Sequence, residues 1–588
     1  MKRIQITRRQ LLQGAGMVGA GLTFNSLLAA CQTGSTTAPA APGGAAAGAT
    51  ELVNALGVKL PADARPLSEQ FIKIGISEVG GAYGHLMESI YNRAFGHAAG
   101  TDTLTTLDID FNVVGVGAES WKISDDGLSW VFNLRKDLVF SSGKPIRAQD
   151  WVYTLRHALS NNYDFAWFYF DIKNAQQVAN GKAKPEELGI EAVDDYTLKI
   201  STEAPVPYLP GLGTWFCVAP ENAWTELGDN WALDPKRYVS SGPFTLTQFD
   251  RNVANKWELN PKYKGVRRPY LTEIRETNLP KGIPAYIAGD IPTYSISGET
   301  PVAEIQLIQA NPVLKAEQHP GVAGSTDYLG FNTTGKFKPL DDANVRLALC
   351  KAIDKEVLVK EIYQGFSNPA WGILPKGFPN DIGDKLKLLD PNVYDPAAAK
   401  ALLAKAGFPE GKDFPTFELW VRQPNPKQQA LAQAIQARWK ENLGIQIEVR
   451  AADFQSFTSN LKENAPIYFV GYGLDYYDPA TFLNVFRSTG RHPHVDDAWD
   501  KFYNAANATL DPKKRFELMA EAETKLVESA AFYFLHSPFS IDLWPCNVKG
   551  ETVVSNKNGF QFFGGGAPGC PHAYEGIYWS TDSCRVGV

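Results

Sequence analysis

The stretch best placed to do chemistry in this sequence is a loop rich in Tyr and Asp beyond the end of a strand. Ile467 to Val470 reads as a strand that runs directly into Gly471-Tyr472-Gly473-Leu474-Asp475-Tyr476-Tyr477-Asp478-Pro479. In open α/β sheets ligands sit outside the carboxyl ends of the strands. Tyr472, Gly473, Leu474, Asp475 and Tyr476 are therefore the candidate binding site, against the alternative of an ordinary turn closed by Asp-Pro. Catalytic constellations are not met elsewhere. The chain has no Gly-x-Ser-x-Gly, no His-Glu-x-x-His and no Cys-x-x-Cys, the spacings that present a serine, a zinc pair or a redox dithiol. Gly407 to Asp413, GFPEGKD, resembles a phosphate loop but is one residue short and has Asp where Ser or Thr would bind magnesium. His492-Pro493-His494 carries two possible metal ligands, yet in a polar segment it reads as a solvated loop. The expectation is no enzyme, no cofactor and no metal, with a secreted hydrolase using a carboxylate pair as the reading from another class.

The elements that must position the loop are legible around it. Phe417, Leu419 and Val421 alternate with Glu418 and Trp420; Leu431, Ile435, Trp439 and Leu443 form a helical stripe; Gly444 ends it; Ile445, Ile447 and Val449 alternate again. Strand, helix and strand with short joints make a parallel βαβ crossover, extended by a helix from Asp453. Upstream, Asp126-Gly127 makes a turn into Leu128, Trp130, Phe132 and Leu134, followed by a short strand at Leu138 to Phe140. A helix with Ala148, Trp151, Val152, Leu155 and Leu159 inward has Asp150 in its first turn. A strand at Phe71 to Ile76 precedes the Gly80-Gly81 loop and a helix through Ile90 and Tyr91. Ile190 to Thr202 reads as a hairpin and Phe244 to Leu246 as a strand. Asp341-Asp342 caps one helix running through Val345, Ala348, Leu349, Ala352, Ile353 and Leu358 to Gly365.

At 588 residues the chain is too long for one core. Its net charge of −7 shows no basic patch for nucleic acid or an anionic membrane. The 14 Trp, 23 Tyr and 32 Phe suit both large cores and aromatic-lined clefts. Arg8-Arg9 before a weakly apolar stretch diluted by Gly14, Gly16, Gly19 and Gly21 looks like a twin-arginine export signal. Leu28-Ala29-Ala30-Cys31 resembles a lipobox, which makes Cys31 the lipidated first residue of the mature chain. Residues 32–50 hold no charge and no large side chain, so they form a flexible tether. Cys217, Cys350, Cys546, Cys570 and Cys584 are an odd set for an exported protein. Cys350 reads as buried, and the last three can include a disulfide whose pairing stays open.

Several segments together resemble the family 5 extracellular solute-binding proteins of ABC transporters, of the oligopeptide-binding type. They include Trp121, Asp126-Gly127, Phe132, Leu134-Arg135, Phe140, Gly143, Pro145 and Ala148 with Asp150. Asp194 to Leu198, Gly242-Pro243-Phe244, Asn260 to Tyr263, Phe331-Asn332, Ala352-Ile353-Asp354, Gly444-Ile445 and Asp475-Tyr476 continue the match. The resemblance implies an α/β, periplasmic-binding-protein-like type II fold of cluster C, with two hinged lobes and an additional domain. Signal and tether occupy 1–31 and 32–64; lobe I would take 65–96, 205–315 and 541–588, the additional domain 97–204, and lobe II 316–540. It implies a monomer held outside the cell membrane by the lipid on Cys31, delivering its ligand to an ABC permease. The favoured ligand is an oligopeptide, the alternatives an oligosaccharide or a metal chelate. In peptide-binding members the ligand backbone is added as a strand, and an aspartate matching Asp475 pairs with its α-amino group. This chain departs from the pattern at Arg147, where a capping Thr is usual, and between Glu78 and Tyr83. Phe469 replaces a basic residue that helps hold the ligand carboxylate, and Phe454 and Tyr472 replace cleft tryptophans. A ligand carboxylate is then either bound elsewhere, with Arg422 or Lys427 the candidates, or is not part of the ligand.

Overall fold

The computed structural model describes residues 51–75, 99–163, 166–228, 230–250, 253–297, 300–322, 324–423, 425–553, 559 and 576–584, without the side chains of Phe454 and Ser540. The export signal, Cys31, the tether to residue 50, the Gly80-Gly81 loop with the helix through Ile90, and Cys570 lie outside the described residues.

Alternating burial builds three main sheets. Phe71–Gly75 buries Ile72 and Ile74 and runs parallel to Glu273–Thr277, with Ala254–Leu259 and Phe244–Asp250 completing four strands. A second sheet is antiparallel throughout, in the order Ala118–Ile123, Ser129–Leu134, Thr197–Ser201, Ile190–Asp194. Trp130, Phe132 and Leu134 join one core with Trp151, Val152, Leu155 and Leu159 of the helix Ala148–Ser160. Gly127 at the turn has φ +72°, the conformation that a Cβ disfavours. Leu138 to Phe140 is not the expected strand. One bridge joins Val139 to Pro145, and Phe140 N–H bonds to Lys144 O at 2.9 Å around a tight turn. Arg147 keeps half of a capping box. Its N–H donates to Asp150 Oδ2 at 2.8 Å, and a guanidinium has no acceptor with which to return the bond.

The third sheet has eight strands and carries the candidate site. Its main path runs Tyr294–Ile296, Phe532–Leu543, Ser325–Phe331, Ile467–Gly473, Phe417–Arg422, Ile447–Ala452. The βαβ unit forms as expected: Phe417–Arg422 and Ile447–Ala452 pair in parallel across the helix Pro426–Leu443, which buries Leu431, Ile435, Trp439 and Leu443 and stops at Gly444 with φ +74°. The strand Phe532–Leu543 ties the chain together: its first half pairs with Ser325–Phe331 and Ser367–Pro369, its second half with Tyr294–Ile296 and Gln318–Val322. The single helix expected after Asp342 is two helices, Ala343–Lys351 and Lys355–Tyr363. Asp354 breaks it by accepting Val357 N–H as a second N-cap. Cys546 and Cys584 form a disulfide, while Cys217 and Cys350 are buried and outside any disulfide.

Candidate functional site

Ile467–Gly473 forms the floor of the site. Its first four residues are all buried, as befits a strand covered on both faces. The ladder runs three residues further than the sequence suggests, because Gly471, Tyr472 and Gly473 continue it rather than turn. Gly471 is required there: a Cβ would lie 2.0 Å from Asp327 Oδ1. The strand pairs along its whole length with Ser325–Phe331 but with Phe417–Arg422 only at Leu419↔Ile467 and Trp420↔Tyr468. Beyond Tyr468 that edge has no strand beside it among the described residues. Arg491 takes one of its acceptors, donating from a guanidinium nitrogen to Gly471 O at 3.0 Å.

The following loop is held at both ends. Leu474 N–H donates to Gly324 O at 2.7 Å, and Asp475 N–H to Thr481 Oγ1 at 3.0 Å. Asp478 accepts both terminal nitrogens of Arg515, at 2.7 and 2.8 Å, and also Ala480 N–H at 2.9 Å. Arg515 adds two bonds to Asn507, and its guanidinium lies over the Tyr208 ring, 5.3 Å from the centroid. Asp475, three residues earlier, has no ion pair among the described residues. Its carboxylate accepts Tyr472 OH at 2.5 Å. Burial pushes this carboxyl up to about 7, against the opposing pulls of the Tyr472 bond and the Arg491 charge.

The loop meets the part of the chain around residues 111–215. Trp215 Nε1 donates to Asp475 O at 2.7 Å, Tyr208 stacks on Tyr476 with centroids 5.3 Å apart, and Phe111 packs edge-on against Tyr477 at 4.6 Å. Between these walls lies a cavity of about 450 Å³. Trp167, Phe168, Phe170, Asp171 and Leu212 line one side, and Tyr472, Tyr476, Thr481, Val485, Arg487 and Arg491 the other. That size, with aromatic walls and a few polar groups, is the form of a small-molecule site.

Of the sequence candidates, Tyr472 and Tyr476 line this cavity; Asp475, Gly473 and Leu474 adjoin that wall in the chain without lining it. The Phe454 side chain lies outside the described residues. Lys427 Nζ donates to Ile362 O at 2.9 Å and Arg422 acts electrostatically on Asp327; neither lines the cavity. Phe469 is wholly buried. The two histidines are not solvated as expected. His492 and His494 are 1% and 5% exposed, bonded to Tyr328 OH and Thr333 Oγ1 at 2.8 Å each, because the segment folds back under the eight-stranded sheet, where its rings pack on Phe532. Among the described residues no group of three or more His, Cys, Asp or Glu is placed to hold a metal, and no helix is long and apolar enough to cross a membrane. Arg487, Arg491, Arg515, Tyr208 and Trp215 were not indicated by sequence. Arg515, Tyr208 and Trp215 reach the site from distant segments, and Arg487 and Arg491 follow Asp475 by 12 and 16 residues with no local spacing to mark them.

Comparison with known proteins agrees with this geometry. A family model described as bacterial extracellular solute-binding proteins, family 5 Middle, matches residues 112–494. The chain is 27% identical over 477 residues to the oligopeptide-binding protein OppA of Bacillus subtilis, covering 78% of this chain and 86% of that one. It is 28% identical over 443 residues to a probable deoxycholate-binding periplasmic protein, YgiS, of Escherichia coli, covering 73% and 80%. Among solved structures, OppA of Burkholderia pseudomallei superposes with a TM-score of 0.69 at 25% identity, over 87% of this chain and 99% of that one. The fold is the periplasmic-binding-protein-like type II fold.

Proposed function

We propose that this chain, which belongs to the bacterial extracellular solute-binding proteins of family 5, captures an oligopeptide between its lobes and hands it to an ABC permease. The observation that carries this reading is Asp475: a carboxylate beside an aromatic cavity, at the carboxyl end of a strand, with no cation paired to it among the described residues, in a loop whose other aspartate is fully paired. A peptide α-ammonium supplies the missing charge through a short charge-assisted bond. The open edge beyond Tyr468 supports an extended ligand added as a strand. The similarity to OppA supports peptide over sugar or chelate.

In this reading the protein binds without turnover and works as a monomer, with lobe I at 65–96, 205–315 and 541–588, the additional domain at 97–204 and lobe II at 316–540. Export through the twin-arginine signal leaves it anchored by a lipid on Cys31. Native mass spectrometry of the purified protein should release an intact peptide on denaturation; release of a hydrolysed product, or of a sugar, contradicts the proposal. Cys31→Ala should abolish acylation and membrane association. A variant that stays in the membrane fraction with its lipid removes the lipobox reading.

A further inference from the structure

Arg487 and Arg491 are the unexplained charges of the cavity. Among the described residues the Arg487 side chain makes no hydrogen bond and no ion pair, and its Nε is shut off from solvent without a partner. Arg491 donates to Gly471 O at 3.0 Å, also bonds to the Tyr328 hydroxyl, and lies over the Tyr472 ring at 4.9 Å; its Nε is nevertheless buried and unpartnered. Leaving guanidinium donors unmet is costly unless an acceptor arrives. The other charged side chain lining the cavity, Asp171, accepts Tyr208 OH at 2.7 Å from the opposite wall. Positive charge therefore gathers on one wall, and aromatic rings cover the facing one. A guanidinium pair of this kind matches a carboxylate, which takes two parallel N–H donors.

The position relative to Asp475 bounds the ligand. Tyr472 donates its hydroxyl to Asp475 and carries Arg491 on its ring, so one side chain separates the two charges. That is about 10 Å or less, the reach of roughly two or three extended residues. We infer that Arg487 and Arg491 form a carboxylate subsite, and that the ligand is a peptide of two or three residues. Its free C-terminal carboxylate meets the arginines, and an apolar side chain lies against Trp167, Phe168 and Phe170. This deepens the peptide reading and depends on it. It also moves the carboxylate site away from Arg422 and Lys427.

The test titrates the full-length chain with the tripeptide Ala-Ala-Phe, its C-terminal amide and its N-acetyl form. The acid should bind the unaltered protein about 30-fold more tightly than the amide. Arg487→Gln and the Arg487→Gln/Arg491→Gln pair should reduce the acid toward the affinity of the amide while leaving the amide itself unchanged. Arg487→Gln alone keeps the test sound if the pair folds poorly, because its guanidinium holds nothing in the fold. Equal affinity of acid and amide, or equal loss of both in Arg487→Gln, overturns the subsite. If acetylation costs nothing while amidation still does, the Asp475 anchor fails and the arginine subsite stands. If none of the three binds, the peptide reading falls and the subsite with it.

Discussion

Two aspartates three residues apart on one loop are treated in opposite ways. Asp478 receives a bidentate arginine, a backbone N–H and near-complete burial of its partner: Arg515 is 3% exposed at the side chain. Asp475 receives one tyrosine hydroxyl and, among the described residues, no ion pair, and burial holds its carboxyl near 7. A buried charge that is fully satisfied is part of the fold. One that is left poised, next to a cavity, is available to a ligand. The difference assigns Asp478 to holding the loop and Asp475 to the proposed recognition of an ammonium.

The sharpest way to break this comparison is to neutralise each carboxylate's function in turn. Asp475→Asn should weaken peptide binding roughly 300-fold, since truncating one partner of a desolvated charge pair costs several kcal/mol. Its melting temperature without ligand should hold or rise. The sign follows from the raised pKa: such a carboxyl contributes stability in full below its unfolded value of 3.8 and loses it as pH rises through about 7. At pH 8 the ionised group is a cost that asparagine removes. Arg515→Met should do the reverse, lowering stability by about 3 kcal/mol in denaturant melts because Asp478 is left without its cation. A variant with intact stability would show that the ion pair is dispensable.

A smaller effect is expected in pH. Peptide binding needs Asp475 ionised and the ligand amine protonated, so affinity should peak between about 7 and 8. Below the peak it should fall about tenfold per pH unit, as binding must expel a proton. Asp475→Asn should lose that limb; if the variant keeps it, another group is titrating. The smallest effect belongs to Trp215→Phe, which removes the indole bond to Asp475 O and should cost about 1 kcal/mol of affinity in calorimetry.

How much of this was legible depends on whether the signal is local. The βαβ unit from Phe417 to Ala452 showed in the sequence because period-2 and helical stripes are set by near neighbours. Two helices were read as one after Asp342, because Ala352, Ile353 and Leu358 continue the apolar rhythm across a break that Asp354 caps. Gly471 and Gly473 suggested a turn, yet Gly471 marks a strand running close to the Asp327 side chain. His492 and His494 looked solvated in a polar stretch and are buried, since burial is decided by the sheet above them. The loop that holds Asp475 is marked by its place at a strand's end, and Asp475 itself only by the family resemblance. Arg491, Arg515 and Trp215 act through tertiary contacts with partners 20 to 260 residues away, and Arg487 is marked only by its place on the cavity wall, none of which a spacing records.

The central claim is that Asp475 is kept uncompensated for a ligand's α-ammonium. Calorimetry at pH 7.5, an arbitrary point within the expected window of about 7 to 8, with one short peptide in free and N-acetylated forms, on the unaltered protein and Asp475→Asn, tests it in a single cycle. The account predicts that acetylation costs the unaltered protein about 100-fold or more and costs the asparagine variant almost nothing. An equal penalty in both proteins, or none in either, would contradict it.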